Sequence, residues 1–147
     1  MVTATAAFWD SSVLVPLCLT PESSPQARAF SEQFSMVVWW SAPAEICSAV
    51  ARLHRSGKLP ASARLIALDR LANLRREWDE VPPSDAVRDK AEFLLDLYPL
   101  RAADGLRLAA ALVWCRNRPV GRTFICADGQ LCEAAAQAGF TVLQPRE

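Results

Sequence analysis

Short apolar runs alternate with longer segments of helical periodicity along this chain. Four of the runs have the length and the polar boundaries of buried β-strands. They lie at residues 7–9, 36–40, 123–126 and 141–143. We predict a strand at each of these positions, with Trp9, Trp39 and Trp40 packed in the core.

Six segments between the runs carry apolar residues at the spacing of a buried helical face. The first opens at Ser24-Pro25, where a polar cap precedes a proline at the first helical position. The second begins at Ser41 and ends near Gly57. The inward face predicted for the second helix consists of Ile46, Ala49, Val50 and Leu53. That of the third helix consists of Leu65, Leu68, Ala72 and Trp78. That of the fourth helix consists of Val87, Ala91, Leu94 and Tyr98. The fifth helix is predicted over about 102–116, and the sixth over about 130–137, closed by Gly139.

This order of elements predicts an α/β fold with a mostly parallel sheet, because parallel strands need helical crossovers between them. A chain of 147 residues is long enough to bury a core and is typical of a single domain spanning residues 1–147. Ligands of such sheets bind beyond the carboxyl ends of the strands. The residues that follow each strand are therefore the first candidates for function.

The composition narrows the class of protein. A chain with 52% hydrophobic and 22% charged residues is not expected to be disordered. Its apolar runs are shorter than a membrane span, and the N-terminal stretch before Asp10 has no basic segment. The five cysteines are dispersed, without a CxxC pair, and are predicted to be reduced and packed. These features predict a cytoplasmic protein.

Four acidic residues each begin the segment that follows an apolar element. Asp10 and Asp128 follow predicted strands, whereas Glu45 and Asp104 lie in the first turns of predicted helices. Asp104 stands four residues before Leu108, so its carboxylate leans toward the apolar side of its helix. Taken singly, each acid has a simpler interpretation as a helix cap or a partner of the helix dipole, worth about 0.5–2 kcal/mol.

A cluster of these carboxylates would be electrostatically unfavourable by itself. Two of them about 4 Å apart repel by roughly 4 kcal/mol at an effective dielectric constant of about 20. Such a cluster takes up protons or holds a cation, and oxygen ligands favour Mg²⁺ or Mn²⁺. The lone His54 lies near a predicted helix end, and the cysteines are too dispersed to complete a zinc site with it. The chain also lacks the GxxxxGK[ST] and GxGxxG phosphate-binding segments.

Four segments in order along the chain resemble those of a PIN-domain ribonuclease, most closely the VapC-type toxins of toxin–antitoxin pairs. The segments are FWDSSVLVPL, SAPAEICSAVARLHRSGKL, LRAADGLRLAAAL and FICADGQLCEAAAQAGF. The resemblance spans nearly the whole chain. Its most specific parts are the hydrophobic-D-S-S opening and the R-x-x-D-x-L-x-L-A-A-A segment.

The resemblance implies a three-layer α/β/α sandwich and Mg²⁺- or Mn²⁺-dependent cleavage of RNA. By position, Asp10, Glu45, Asp104 and Asp128 match the four metal-site acids of the family. Ser12 matches a small polar residue that supports the first acid by hydrogen bonding. A homodimer and a small antitoxin protein are the implied partners.

The chain departs from the family pattern in two places and leaves some roles open. Cys126 stands where the family often has Thr or Ser, and Gly105 stands where Ala is common. Arg101 and Arg107 flank Asp104 and are interpreted either as contacts to RNA phosphates or as solvent-exposed residues.

Rival functions fit the motifs less well. Asp10-Ser11-Ser12 begins the D-x-S-x-S motif of adhesion-type metal domains, but Leu14 stands at the final serine. An aspartyl phosphotransferase needs D-x-D, and Ser12 occupies the second acidic position. A catalytically inactive PIN-like module that binds RNA or a protein partner remains the main alternative, although the chain keeps all four acids.

Overall fold

The computed structural model describes residues 5–146, except for the side chain of Ser23, and contains a five-stranded sheet in that range. All strand pairs are parallel, in the order β3-β2-β1-β4-β5. The strands are β1 Thr5–Trp9, β2 Phe34–Trp39, β3 Asp79–Val81, β4 Thr123–Ile125 and β5 Thr141–Leu143. The predicted α/β fold with a parallel sheet is therefore confirmed.

Helices cover both faces of the sheet. They are α1 Ser11–Leu19, α2 Pro25–Gln33, α3 Ala42–Arg55, α4 Ala61–Glu77, α5 Asp85–Leu97, α6 Ala102–Trp114 and α7 Gly129–Ala138. A short 3₁₀ turn, Pro21–Ser23, joins α1 to α2. Helices α1 to α4 pack on one face of the sheet, and α5 to α7 pack on the other, which gives three layers.

The central strands supply side chains to both cores. In β1, Ala7 and Trp9 belong to the core beneath α1 to α4, whereas Phe8 belongs to the core beneath α5 to α7. Side chains of a strand alternate between its two faces, so a strand covered by helices on both sides is apolar throughout. This is why the central strands stand out as continuous apolar runs in the sequence.

Several predicted helix ends are present in the structure. Ser84 caps α5 by accepting a hydrogen bond from the backbone N–H of Val87 at 3.2 Å. Gly139 ends α7 with φ +118, a left-handed conformation that glycine adopts without steric cost. The predicted inward face of α5 is also correct, with Val87, Ala91 and Leu94 buried.

Two elements were not predicted. Helix α1, with the sequence SSVLVPLCL, is apolar almost throughout and contains Pro16, so it has no helical period. Strand β3 is a short edge strand in which only Val81 is buried. The register with β2, not a hydrophobic run, defines it as a strand.

Two predictions about side-chain orientation were wrong. On α4, Leu65 is 63% exposed and Ala72 is exposed as well, and Ala67 and Leu71 form the buried stripe instead. Trp40, expected in the core, lies just beyond β2 and is 54% exposed. The other two tryptophans named above are buried, because they lie within β1 and β2.

Two further features concern the hydropathy of the helices and the state of the cysteines. None of the described helices combines the length and hydropathy that a membrane span requires. All five cysteines are free thiols; Cys47 is exposed and the other four are buried.

Candidate functional site

The site begins where β1 ends, at the carboxyl edge of the sheet. Asp10 follows β1 and caps α1, with a side chain only 2% exposed. Its Oδ2 atom accepts hydrogen bonds from the backbone N–H of Ser12 at 3.1 Å and from the Ser12 hydroxyl at 2.5 Å. Its Oδ1 atom is buried and accepts no hydrogen bond. The Oδ2 atom of this carboxylate is therefore held by Ser12, whereas the Oδ1 atom is available to another partner.

Ser12 joins Asp10 to the loop that follows β4. Besides donating to Asp10, its Oγ accepts a hydrogen bond from the backbone N–H of Ala127 at 2.9 Å. The Cys126 Sγ lies 3.9 Å from both the Ser12 Oγ and the Asp10 Oδ2, and it accepts from the backbone N–H of Asp128 at 3.3 Å. Ser12 thus makes the hydrogen bond that the resemblance implied, and Cys126 packs beneath it.

Cys126 remains a thiol in this environment. A hydrogen bond with Cys132, burial and the negative charge of Asp10 all raise the pKa of Cys126. The protonated thiol places no further negative charge beside Asp10.

Asp128 follows β4 and caps α7. Its Oδ1 accepts a hydrogen bond from the backbone N–H of Leu131 at 3.2 Å. The residue as a whole is exposed and lines the same cavity as Asp10. The capping interpretation therefore holds for both strand-following acids, which also face the cavity.

Asp104 is different, because it caps nothing. It occupies the third position of α6, whose N-cap residue is Arg101, and no backbone N–H of the described chain donates to its carboxylate. It is only 8% exposed. Its hydrogen-bond partner is the Nη1 atom of Arg107, at 2.9 Å. The inward lean predicted from the sequence is present, and capping does not explain it.

Arg107 binds the acids of three different elements. Its Nε lies 3.1 Å from the Glu45 Oε2 and 3.3 Å from the Asp10 Oδ1, and its Nη2 also contacts the Glu45 Oε2. Glu45 reaches this point from the first turn of α3. With the bond to Asp104 included, one guanidinium joins three carboxylates across the carboxyl edge of the sheet.

The two arginines predicted beside Asp104 thus have different surroundings. Arg101 is exposed, whereas the Arg107 side chain is only 18% exposed and is not solvated as one interpretation expected. The Asp104–Arg107 spacing of three residues was the available sequence signal, since side chains at that spacing are neighbours on a helix. The contacts to Asp10 and Glu45 are long-range and left no such signal.

Burial and mutual repulsion raise the proton affinity of the two buried acids. Desolvation is the main cause of a raised pKa at Asp10, where Glu45 adds to the effect and Arg107 and Ser12 oppose it. Desolvation also raises the pKa of Asp104, together with the charges of Asp128 and Asp10, while Arg107 lowers it. Burial lowers the pKa of Arg107, but Glu45, Asp10 and Asp104 outweigh this, and the net pKa is raised.

An open cavity of about 460 Å³ lies over this cluster. Asp10, Glu45, Asp128 and Arg107 line it, and so do two residues not predicted from the sequence, Ser48 and Arg52. Arg52 lies seven residues after Glu45 on α3, which puts it on the same helical face. Asp104 does not line the cavity; it contacts Arg107, which does.

The donor set matches a hard divalent cation in chemistry but not in its present arrangement. All four acids supply oxygen, and the buried Oδ1 of Asp10 has no hydrogen bond. In the described part of the chain, however, no three His, Cys, Asp or Glu side chains are arranged to hold a metal ion. Three of the carboxylates, those of Asp10, Glu45 and Asp104, contact the Arg107 guanidinium instead.

Comparisons with known proteins find similarity in structure only. No protein-family model and no curated protein matches the chain. A chain of VapBC2 from Rickettsia felis bound to a promoter DNA fragment matches with a TM-score of 0.68 and 8% identity, over 97% of this chain and 100% of that chain. A chain of FitAcB from Neisseria gonorrhoeae matches with a TM-score of 0.63 and 18% identity, over 92% of this chain and 96% of that chain.

A toxin–antitoxin complex from Klebsiella pneumoniae is also similar, with a TM-score of 0.56 and 15% identity over 84% of this chain and 87% of that chain. At these identities the comparisons establish the fold. The predicted resemblance to VapC-type PIN-domain toxins is confirmed at that level.

Proposed function

We propose that this chain is a divalent-metal-dependent endoribonuclease and the toxin of a toxin–antitoxin pair. The observation that carries the proposal is the meeting of Asp10, Glu45 and Asp104, from three distant segments, around one point at the carboxyl edge of the sheet. Parallel α/β sheets bind their ligands at this edge. The likeness in fold to a chain of a toxin–antitoxin complex and to a chain of VapBC2 supports the same assignment.

Asp10, Glu45, Asp104 and Asp128 are the proposed ligands of one or two Mg²⁺ or Mn²⁺ ions. Such an ion, when bound, polarises the RNA phosphodiester, lowers the pKa of the attacking water and stabilises the leaving oxygen. Ser12 keeps Asp10 in position through its hydroxyl. Asp128 has a second, structural role as the cap of α7.

Basic residues at the rim of the cavity supply the proposed RNA contacts. Arg52 lines the cavity, and Arg101 is exposed at the start of α6. Arginines bind backbone phosphates without reading the base, so these residues would position RNA over the acids. The formal net charge of zero means that this attraction is local and not a property of the whole surface.

The proposed partners are a small antitoxin protein and a second copy of this chain. The similar chain from Klebsiella pneumoniae belongs to a toxin–antitoxin complex, and the similar chain from Rickettsia felis belongs to VapBC2. We place the protein in the cytoplasm, where its RNA substrate would be found.

One observation favours a second candidate, the catalytically inactive PIN-like module. Three of the four acids are already neutralised in part by Arg107, and no three of the described acids form a metal site as they stand. Such a module would bind RNA or a protein partner without cleaving RNA.

Cleavage of a labelled single-stranded RNA distinguishes the two functions. We expect cleavage with Mn²⁺ or Mg²⁺, none with a chelator, and a loss of at least about a hundredfold in Asp10→Asn and Glu45→Gln. Asp85→Asn is the matched control, because Asp85 is an exposed acid that pairs with Arg88 on the surface of α5. Binding of RNA without cleavage by the parent chain, or cleavage by both acidic variants at the rate of the parent chain, would exclude the nuclease.

A further inference from the structure

We propose that Arg107 is a built-in counter-cation that neutralises the acidic site in the metal-free protein and gives up carboxylate contacts when a divalent ion binds. The inference rests on the proposed metal site and adds a competing occupant to it. Metal affinity would then depend on how firmly the guanidinium is held.

Arg107 contacts the same carboxylates that are proposed to bind the metal ion. Its nitrogens contact the Asp10 Oδ1 at 3.3 Å, the Glu45 Oε2 at 3.1 Å and the Asp104 Oδ1 at 2.9 Å. These oxygens belong to three of the four proposed metal ligands. The side chain is mostly buried between them, so this is not a transient surface ion pair.

The Asp10 carboxylate indicates that a cation other than Arg107 can bind at the same position. Its Oδ1 is buried and receives no hydrogen bond, since Arg107 approaches it as an ion pair outside hydrogen-bond geometry. A buried carboxylate oxygen normally has a partner. A small cation bound there would satisfy this oxygen, which the guanidinium leaves without a hydrogen bond.

The two cations exclude one another for geometric and electrostatic reasons. Mg²⁺ requires oxygens at about 2.0–2.1 Å in near-octahedral order, whereas the guanidinium holds the same oxygens at hydrogen-bond distance from its own nitrogens. A dication and a guanidinium sharing the same carboxylates also repel each other. Asp104 contacts Arg107 and does not line the cavity, so it becomes a ligand only when the guanidinium moves.

Metal affinity tests the exchange without reference to RNA cleavage. Titration calorimetry with Mn²⁺ on Arg107→Gln should give a Kd lower than that of the parent chain by about tenfold, the scale of a lost competing charged hydrogen bond. Arg75→Gln is the control, since Arg75 is exposed at the end of α4, and its Kd should equal that of the parent. An unchanged or higher Kd in Arg107→Gln, or no Mn²⁺ binding to either chain, would overturn the proposal.

A second measurement uses the unaltered protein, in case Arg107→Gln fails to fold. The Nε–Hε resonance of Arg107, assigned in the parent chain through the bonds of its own side chain, should shift on saturation with Mg²⁺ as the bonds to Glu45 break. An unshifted resonance in a Mg²⁺-saturated sample would refute the exchange. Failure of the nuclease proposal looks different: the Kd change and the shift would both occur, and RNA would stay intact.

Discussion

At the scale of the residue, Asp104 shows most directly that the charges of the site lower the stability of the folded chain. Its carboxylate is buried without a backbone donor, and Arg107 is its hydrogen-bond partner. Burial and the neighbouring acids raise its pKa above 3.8 even with that arginine present. The ionised form is therefore less favourable in the folded chain than in the unfolded chain.

We expect Asp104→Asn to melt higher than the parent chain in the presence of a chelator. Asparagine keeps an oxygen for Arg107 and removes the unfavourable charge, for a gain of about 2–4 °C. The folded chain binds the Asp104 proton more readily than the unfolded chain between pH 3.8 and the raised pKa. The penalty therefore grows as the pH rises through that range, and the gap in Tm should be largest at neutral pH and narrow on acidification.

Asp128→Ala is the contrasting control, because Asp128 does cap its helix. Loss of the cap should lower the Tm, at a cost of about 1 kcal/mol. A fall in the Tm of Asp104→Asn of the same size would mean that Asp104 supports its helix and is not strained by its charge.

Ser12 is expected to matter for stability as well as for the site. Ser12→Ala removes the hydroxyl donor to the buried Asp10 and the acceptor of the Ala127 N–H. Hydrogen bonds to a buried charged group are worth about 1.5–3 kcal/mol, so urea unfolding should show a loss of that order. In Ser11→Ala, where the described structure shows no side-chain hydrogen bond to lose, unfolding should be unchanged within about 0.5 kcal/mol. Equal effects in the two variants would contradict the role of Ser12.

At the scale of the element, Gly105 sets how closely α5 and α6 pack. A Cβ at this position would lie 2.8 Å from Leu95 Cδ2 and 2.9 Å from Leu95 Cγ, too close for an undisturbed side chain. Alanine is a better helix former by up to about 1 kcal/mol, but overpacking costs about 1–3 kcal/mol. We therefore expect Gly105→Ala to lower the free energy of unfolding, measured in urea.

The destabilisation by Gly105→Ala should disappear or change sign when Leu95 is shortened. In a Leu95→Ala background the clash is absent, so Gly105→Ala should be neutral or stabilising through helix propensity alone. A destabilisation of the same size in both backgrounds would show that something other than this helix contact requires glycine.

The elements that could be predicted from the sequence are those with a clear period or cap. Helix α5 has a serine cap and an apolar residue at every inward position, and β1 is apolar on both faces. Helix α1 is uniformly apolar, β3 is short and polar, and α4 carries the exposed Leu65 beside its buried stripe. In these three segments packing against the rest of the chain, and not local sequence, determines the structure.

At the scale of the whole molecule, the common edge of the four acids could be predicted, whereas the guanidinium that joins three of them could not. Strand ends and first helical turns mark Asp10, Glu45, Asp104 and Asp128, since parallel topology brings those positions to one edge. No pattern indicated that Arg107, from the layer of α5 to α7, would reach Glu45 in the opposite layer. That contact depends on the packed fold, where side chains distant in sequence compensate one another's charge.

The site joins both helical layers at the edge of the sheet, so an ion bound there should stabilise the folded chain as a unit. Ligands that bind only the folded state contribute about 2.7 kcal/mol at 100 times the Kd. For a chain of this length we expect Mn²⁺ to raise the Tm by roughly 5–10 °C at that concentration. Differential scanning fluorimetry at constant ionic strength measures the shift.

Two variants make this last prediction specific to the acids. Asp10→Asn removes the proposed ligand that is fixed by Ser12 and faces Arg107, so most of the Mn²⁺-induced rise should disappear. Asp85→Asn changes an exposed acid on α5 and should keep the full rise. An equal rise in both variants would place the ion elsewhere on the surface, and Asp10, Glu45 and Asp104 would then form an internal salt-bridge network that holds Arg107.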